Sequence, residues 1–198
     1  FNYYILTSEL KFNFINKIKW NLGNFLSIKN FGIYKSIGVD KIFRPKVEAE
    51  HYQLANIKYK LIKKKIKNKK DVLSIKIEGV LIGDLIYDTY LKKFYEPTLI
   101  FDDRFYKVLK DFLILFYYWK IYFQKNVVKA VITSHFVYSY GLIIRIALKK
   151  NIQCYHVALH RIYKATKKNS TFSNDGKTLM LSPIHISEPT RLGMSSYA

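Results

Sequence analysis

A chain of 198 residues is long enough for one domain with a real core. Its apolar content of 49% excludes a disordered polymer, and its most hydrophobic window, Phe112–Phe123, is too short for a bilayer span, which takes about 20 residues. The 34 Lys and Arg against 14 Asp and Glu give a net charge of +20. That charge is either a solvated basic surface written by AT-rich codon bias or the complement of an anionic partner: a membrane surface, a phosphate-bearing substrate or nucleic acid.

In chain order, Phe1–Leu6 is β-rich and predicts a strand. Leu10, Phe14, Ile18 and Leu22 recur at helical spacing up to a stop at Gly23-Asn24, and Phe25–Ser36 predicts a second helix ending at Gly38. Lys41–Phe43 is a short strand closed by Pro45. Val47–Ile66 predicts a helix with Leu54, Ile57, Leu61 and Ile62 as its apolar side, running into the basic stretch Lys60–Lys70. Lysines there suit a helix carboxyl terminus as a solvated end. Ser74–Ile82 reads as two short strands around a Glu78-Gly79 turn. Asp84 reads as the N-cap of the next helix, which brings Asp84, Tyr87, Asp88 and Leu91 to one face and ends before Pro97. Asp102-Asp103 opens a long aromatic helix to about Lys125.

The stretch Val127–Val157 organises the rest. Val127–Thr133 is a β-rich run broken by Ser134 and His135, Tyr138–Lys149 a helix apolar nearly all round, and Ile152–Val157 a second β-rich run. Strand, polar turn, helix, strand predicts a right-handed crossover between parallel strands, with the helix covered on more than one side. The fold class expected is therefore α/β, a parallel sheet flanked by helices. After Val157 the polar text predicts a loop. The single cysteine, Cys154, falls in the second strand and reads as a buried structural thiol.

The chemistry-bearing candidates are few. Ligands in open parallel sheets sit beyond the carboxyl ends of strands, where Ser134 and His135 fall. A histidine there can exchange a proton near neutral pH; equally it can cap the next helix or bond a backbone group. No acidic partner for a catalytic triad can be assigned. Asp84 and Asp88 read as a cap and an exposed helix residue, or else bind sugar hydroxyls together with Tyr87 and Tyr90. The Gly83-Asp84 turn also predicts helix amides open to a hydroxyl or anionic ligand. No phosphate-binding glycine loop occurs, His156 and His160 lack the helical context for metal, and Asp102-Asp103 reads as a cap rather than a metal motif. No metal is expected.

Ile82–Leu91 (IGDLIYDTYL), Ser134-His135 with Tyr138, and Arg145–Ala147 (RIA), together with Asn30–Gly38, resemble bacterial capsule and surface-polysaccharide biosynthesis proteins over roughly residues 30–164. The resemblance implies a glycosyltransferase-like GT-B architecture of two Rossmann-like domains. This chain would be the incomplete acceptor-side (N-terminal) Rossmann-like domain, over residues 1–180. The implied activity is transfer of a sugar from a nucleotide donor to a glycan or lipid-linked acceptor. His135 is the implied base, or else orients the acceptor hydroxyl, and Asp84, Tyr87, Asp88, Tyr90, Ser134 and Tyr138 would line the acceptor cleft. The nucleotide sugar would bind a C-terminal domain beyond this chain, so no cofactor is expected here. The expected setting is cytoplasmic, with a peripheral contact at the inner face of the plasma membrane. The alternative is a basic nucleic-acid-binding protein without catalysis.

Leu181–Ala198 has no hydrophobic period and resembles the translation of a transposase-type sequencing adapter, one frame of which differs from Leu181–Arg191 only at Pro183. The expectation is that 181–198 is not native and that the native text is interrupted at both ends.

Overall fold

The computed structural model describes residues 4–6, 14–28, 30–36, 38–39, 41–43, 45–133, 135–157, 162–167 and 170. Ser134, His160 and the segment 181–198 lie outside the described residues, as does Leu10. The chain mixes helix and strand, and it divides into two compact units between Ala49 and Glu50.

In the first unit, β1 (Tyr4–Leu6) and β2 (Lys41–Phe43) pair in parallel, with Ile5 opposite Ile42. The chain between them forms α1 (Phe14–Phe25) and α2 (Asn30–Ser36). The predicted single helix over 25–36 is broken: Ser27 takes a left-handed φ of 55°, and the Ile28 amide donates back to Gly23 O at 2.9 Å. The predicted apolar side of α1 also turns outward, for Ile18 and Leu22 are about half exposed. Its inner side is Trp20, packed edge-on to Phe31 of α2 at 5.4 Å, and Gly23, whose lack of a side chain admits the same ring.

The second unit begins with α3 (Ala49–Lys65). The predicted apolar side is only partly right. Ile62 is buried, but Ile57 and Leu61 face solvent, and the buried stripe runs through His51 and Ala55. His51 lies against the Tyr118 ring at 5.6 Å, an aromatic contact that outcompetes the aliphatic residues for the core position. A short helix not anticipated, α4 (Lys69–Leu73), follows. It exists inside the lysine run because Asn68 and Asp71 form a reciprocal capping box, each side chain accepting from the other's amide at 3.0 and 3.1 Å.

β3 (Lys76–Ile77) and β4 (Val80–Leu81) make the expected hairpin. Glu78 and Gly79 both have positive φ, 50° and 79°, which is the geometry of a two-residue type I′ turn. At its base the Ile82 and Gly83 amides both donate to Ile75 O, at 3.0 and 3.2 Å. Next come α5 (Gly83–Phe94), ended by Tyr95 in the left-handed region, and α6 (Asp103–Lys125). Asp102 caps α6 as expected, its carboxylate accepting from Phe105 N at 2.9 Å. Lys107, Lys110, Gln124 and Lys125 nearer the ends of α6 are exposed, while every residue from Phe112 to Trp119 is buried, so this stretch is covered on all sides. Each such side chain contributes about 1.5–3 kcal/mol by leaving water.

The strand–helix–strand unit forms as expected, but the sheet that holds it is not parallel throughout. β5 (Ala130–Thr133) and β6 (Gln153–Val157) pair in parallel, joined by α7 (Tyr138–Lys149), which packs against α5, α6 and both strands. Cys154 is buried, and loss of solvent pushes its thiol up to about 11. One correction follows: the polar text after Val157 is not all loop. β7 (Ile162–Ala165) runs antiparallel to β6, making a three-stranded mixed sheet in the order β5-β6-β7. Ile162, Tyr163 and Lys164 are exposed and Ala165 alone is buried, so this edge strand lacks the apolar run that marks an inner one.

Candidate functional site

α5 and α7, the two helices that carry the resemblance, lie side by side. Two contacts fix them. A Cβ on Gly141 of α7 would overlap the Phe136 carbonyl oxygen and also lie 2.9 Å from Leu85 Cδ2 of α5, so the glycine lets α7 approach both. One turn further on, Arg145 meets Asp84 fork to fork, Nη1 to Oδ1 at 2.5 Å and Nη2 to Oδ2 at 2.6 Å. Arg145 Nη1 also donates to Leu81 O at 2.8 Å, and Nε to Ser170 O at 2.9 Å. The guanidinium side chain is 3% exposed and the carboxylate 19%. One buried cation thus ties the hairpin, the start of α5, α7 and the turn at Ser170.

This geometry corrects the reading of Asp84 as a helix cap. The N-cap of α5 is Ile82, with no side-chain bond, and the Asp84 carboxylate is turned to Arg145 instead. Of the amides expected to lie open at the start of this helix, that of Gly83 does not: the residue is buried, and its N–H is taken by Ile75 O. Asp88 is buried rather than exposed.

His135 stands just beyond the carboxyl end of β5, with its ring exposed and tilted against Tyr140 at 5.9 Å. The Thr133 hydroxyl braces the turn, donating to His135 O at 3.2 Å and accepting from His135 N at 3.4 Å. His135 does not cap the next helix; that position is Val137, which makes no side-chain cap bond. Tyr138 is buried, with Lys92 Nζ 4.1 Å from its ring centroid. His156 is buried between the rings of Phe136 at 4.8 Å and Tyr163 at 6.0 Å, which makes it a core residue.

The remaining candidates point elsewhere. Tyr90 is fully buried among Phe94 and Phe105 at the start of α6, with Arg104 Nη2 donating to its hydroxyl at 3.5 Å. Loss of solvent, followed by the nearby Asp102 carboxylate, pushes its phenol above the usual value. Tyr87 is buried under Lys69, whose Nζ lies 4.5 Å from the ring centroid, and its hydroxyl has no hydrogen-bond partner among the described residues. Tyr87→Phe is therefore expected to leave stability unchanged or raise it by about 1 kcal/mol, since it removes a buried donor that bonds nothing. A thermal melt checks this; a clear drop would mean the hydroxyl has a partner.

A cleft of about 220 Å³ lies at the far end of α7. Phe116 and Ile146 line it, with Lys120, Lys149, Lys150 and Glu78 among its polar residues, and Glu78 is already paired to Lys120 at 2.5 Å. None of the predicted site residues borders it. Among the described residues no group of three or more His, Cys, Asp or Glu is placed to hold a metal.

No protein-family model, curated protein or solved structure matches the chain. What remains is the geometry. Its most constrained feature is Arg145, which is not among the site residues expected from sequence. The signal was present: a lone arginine in the apolar text IIRIAL must find a counter-charge once its helix is buried. Tyr140, 43% exposed beside His135, is a second residue outside the expected set.

Proposed function

We infer that this chain is the acceptor-side part of a glycosyltransferase-like protein of surface-polysaccharide biosynthesis, with a Rossmann-like, GT-B type of architecture. The observation that supports this most is the joining of the two resembling segments. Asp84 of IGDLIYDTYL and Arg145 of RIA are 61 residues apart in sequence, yet they form one buried ion pair. That pair holds α7 in place, and the loop entering α7 presents His135.

In this reading His135 accepts the proton of an acceptor hydroxyl as that oxygen bonds to the anomeric carbon of the donor sugar. The bond from that carbon to the nucleotide diphosphate breaks, and the diphosphate leaves with the electron pair. The exposed Tyr140 ring offers a sugar a flat apolar face beside the base. Asp84 acts at one remove, by positioning α7 through Arg145. The nucleotide sugar binds a second domain.

The test is a transfer assay on the full-length gene product with nucleotide sugars and a surface-glycan acceptor, read by mass as addition of one sugar. Wild type is expected to extend the acceptor. His135→Ala is expected to slow transfer by about 10²–10⁴-fold without changing the melting temperature, because the ring is exposed. Equal rates would remove His135 as base. No transfer, with salt-dependent capture of nucleic acid instead, would favour the basic nucleic-acid-binding alternative.

A further inference from the structure

The lysine run of α3 lies outside the Asp84–Arg145 and His135 region, and an exposed apolar stripe runs beside it. α3 has two apolar faces. His51, Ala55 and Ile62 form the buried one. At about 100° per residue, Leu54, Ile57 and Leu61 form another, turned by roughly a quarter-turn or more from the first. Ile57 is 62% exposed and Leu61 53% exposed, and Leu54 is half-buried. On the same wheel Lys60 and Lys64 fall to one side of this stripe, and Lys58 and Lys65 to the other. None of these four lysines makes an ion pair among the described residues.

The surrounding sequence has one sign. Between Glu50 and Asp71 there are eight lysines and no acidic residue. Asp71 itself is occupied by the backbone amides of Lys67 and Asn68. Two of the eight lysines lean on aromatic rings, Lys63 on Tyr106 and Lys69 on Tyr87, and the others are available to an external anion.

We propose that the Leu54–Ile57–Leu61 face of α3, with its lysine margins, is a docking surface for an anionic lipid bilayer. The helix lies in the interface plane, its aliphatic stripe at the acyl boundary and its lysines at the headgroups. Among the described residues no helix is long and apolar enough to cross a membrane, which matches a surface-lying mode. Charge decides between occupants. A second copy would bring lysine margins against lysine margins. A nucleic acid would satisfy the lysines but set its phosphates against Ile57 and Leu61. A bilayer with acidic headgroups satisfies both parts of the face. This surface does not depend on the sugar-transfer reading.

The experiment is flotation of the whole chain with vesicles of phosphatidylcholine alone, or of phosphatidylcholine mixed with phosphatidylglycerol. Wild type is expected to float with the mixed vesicles and not with the neutral ones, and to be released by salt. Lys64→Gln with Lys65→Gln is expected to weaken partitioning roughly fivefold per lysine. Ile57→Ser with Leu61→Ser is expected to abolish it while circular dichroism and the melting temperature stay unchanged, since both side chains face solvent. Three results would overturn the proposal: no flotation with the mixed vesicles, undiminished flotation of the Ile57→Ser/Leu61→Ser protein, or a wild-type dimer that this variant turns into a monomer. Nucleic-acid binding that both double variants lose equally, without vesicle binding, would assign the face to nucleic acid instead.

Discussion

Asp84→Ala is expected to lower the unfolding free energy by about 3–5 kcal/mol, the range for removing one partner of a buried ion pair. The cost falls on the partner left behind. Arg145 is 3% exposed, and without Asp84 its guanidinium keeps, among the described residues, only the carbonyls of Leu81 and Ser170. The reverse variant, Arg145→Met, should cost less, about 1–3 kcal/mol, because Asp84 is 19% exposed and can recover part of its hydration. Replacing both, Asp84→Leu with Arg145→Met, should recover most of the loss, since an apolar pair of similar volume leaves no charge to solvate. Urea unfolding of the three variants checks the order. Single variants that each cost under about 1 kcal/mol would mean that the pair is screened like a surface one.

Gly83→Ala is the second large effect. A Cβ on Gly83 would overlap the carbonyl oxygen of Val72 and lie 2.8 Å from the Leu73 carbonyl carbon and oxygen. Those are backbone atoms of α4, held by the Asn68–Asp71 box and by the Ser74 amide on Lys70 O. No side chain can swing aside, so α4 and α5 must separate and the Ile75 bonds at the hairpin base must stretch. The expected loss is about 3 kcal/mol, at the upper end of ordinary overpacking. Gly38→Ala is the control: a Cβ there meets nothing within 4 Å among the described residues, and the expected cost is the backbone strain of its φ of 87°. A Gly83→Ala protein as stable as wild type would show that α4 does not press on α5.

The parts of the fold legible in the sequence were those with one dominant local signal. The β5–α7–β6 crossover could be read because each run is apolar in its own period and polar residues mark each change. The hairpin could be read from Glu78-Gly79, and the start of α6 from Asp102. Errors arose where two local accounts competed and a distant residue decided. Asp84 has the chemistry of a cap, but it falls inside the first turn of α5, after the cap position at Ile82, and Arg145, 61 residues away, takes its carboxylate. On α3 the aliphatic residues outscore His51 and Ala55 by hydrophobicity, yet Tyr118 of α6 selects His51 for the core. α4 was obscured by its lysines, although Asn68-x-x-Asp71 was a readable capping signature. The candidate site was legible as two separate motifs. Their convergence on one acceptor cleft was the expectation; the contact that joins α5 to α7 was not legible, because it rests on an arginine that local sequence marks only by being out of place.

The most direct test of the account is a nuclear magnetic resonance titration of the isotope-labelled chain with oligosaccharides of a bacterial surface polysaccharide, repeated with single-stranded nucleic acid. The account predicts saturable shifts from the oligosaccharide at His135, Tyr138 and Tyr140, extending to Asp84 and Arg145 through the buried pair, with nucleic acid leaving these signals in place. Shifts produced by nucleic acid along Lys58–Lys70, with none produced by any oligosaccharide around His135, would contradict it.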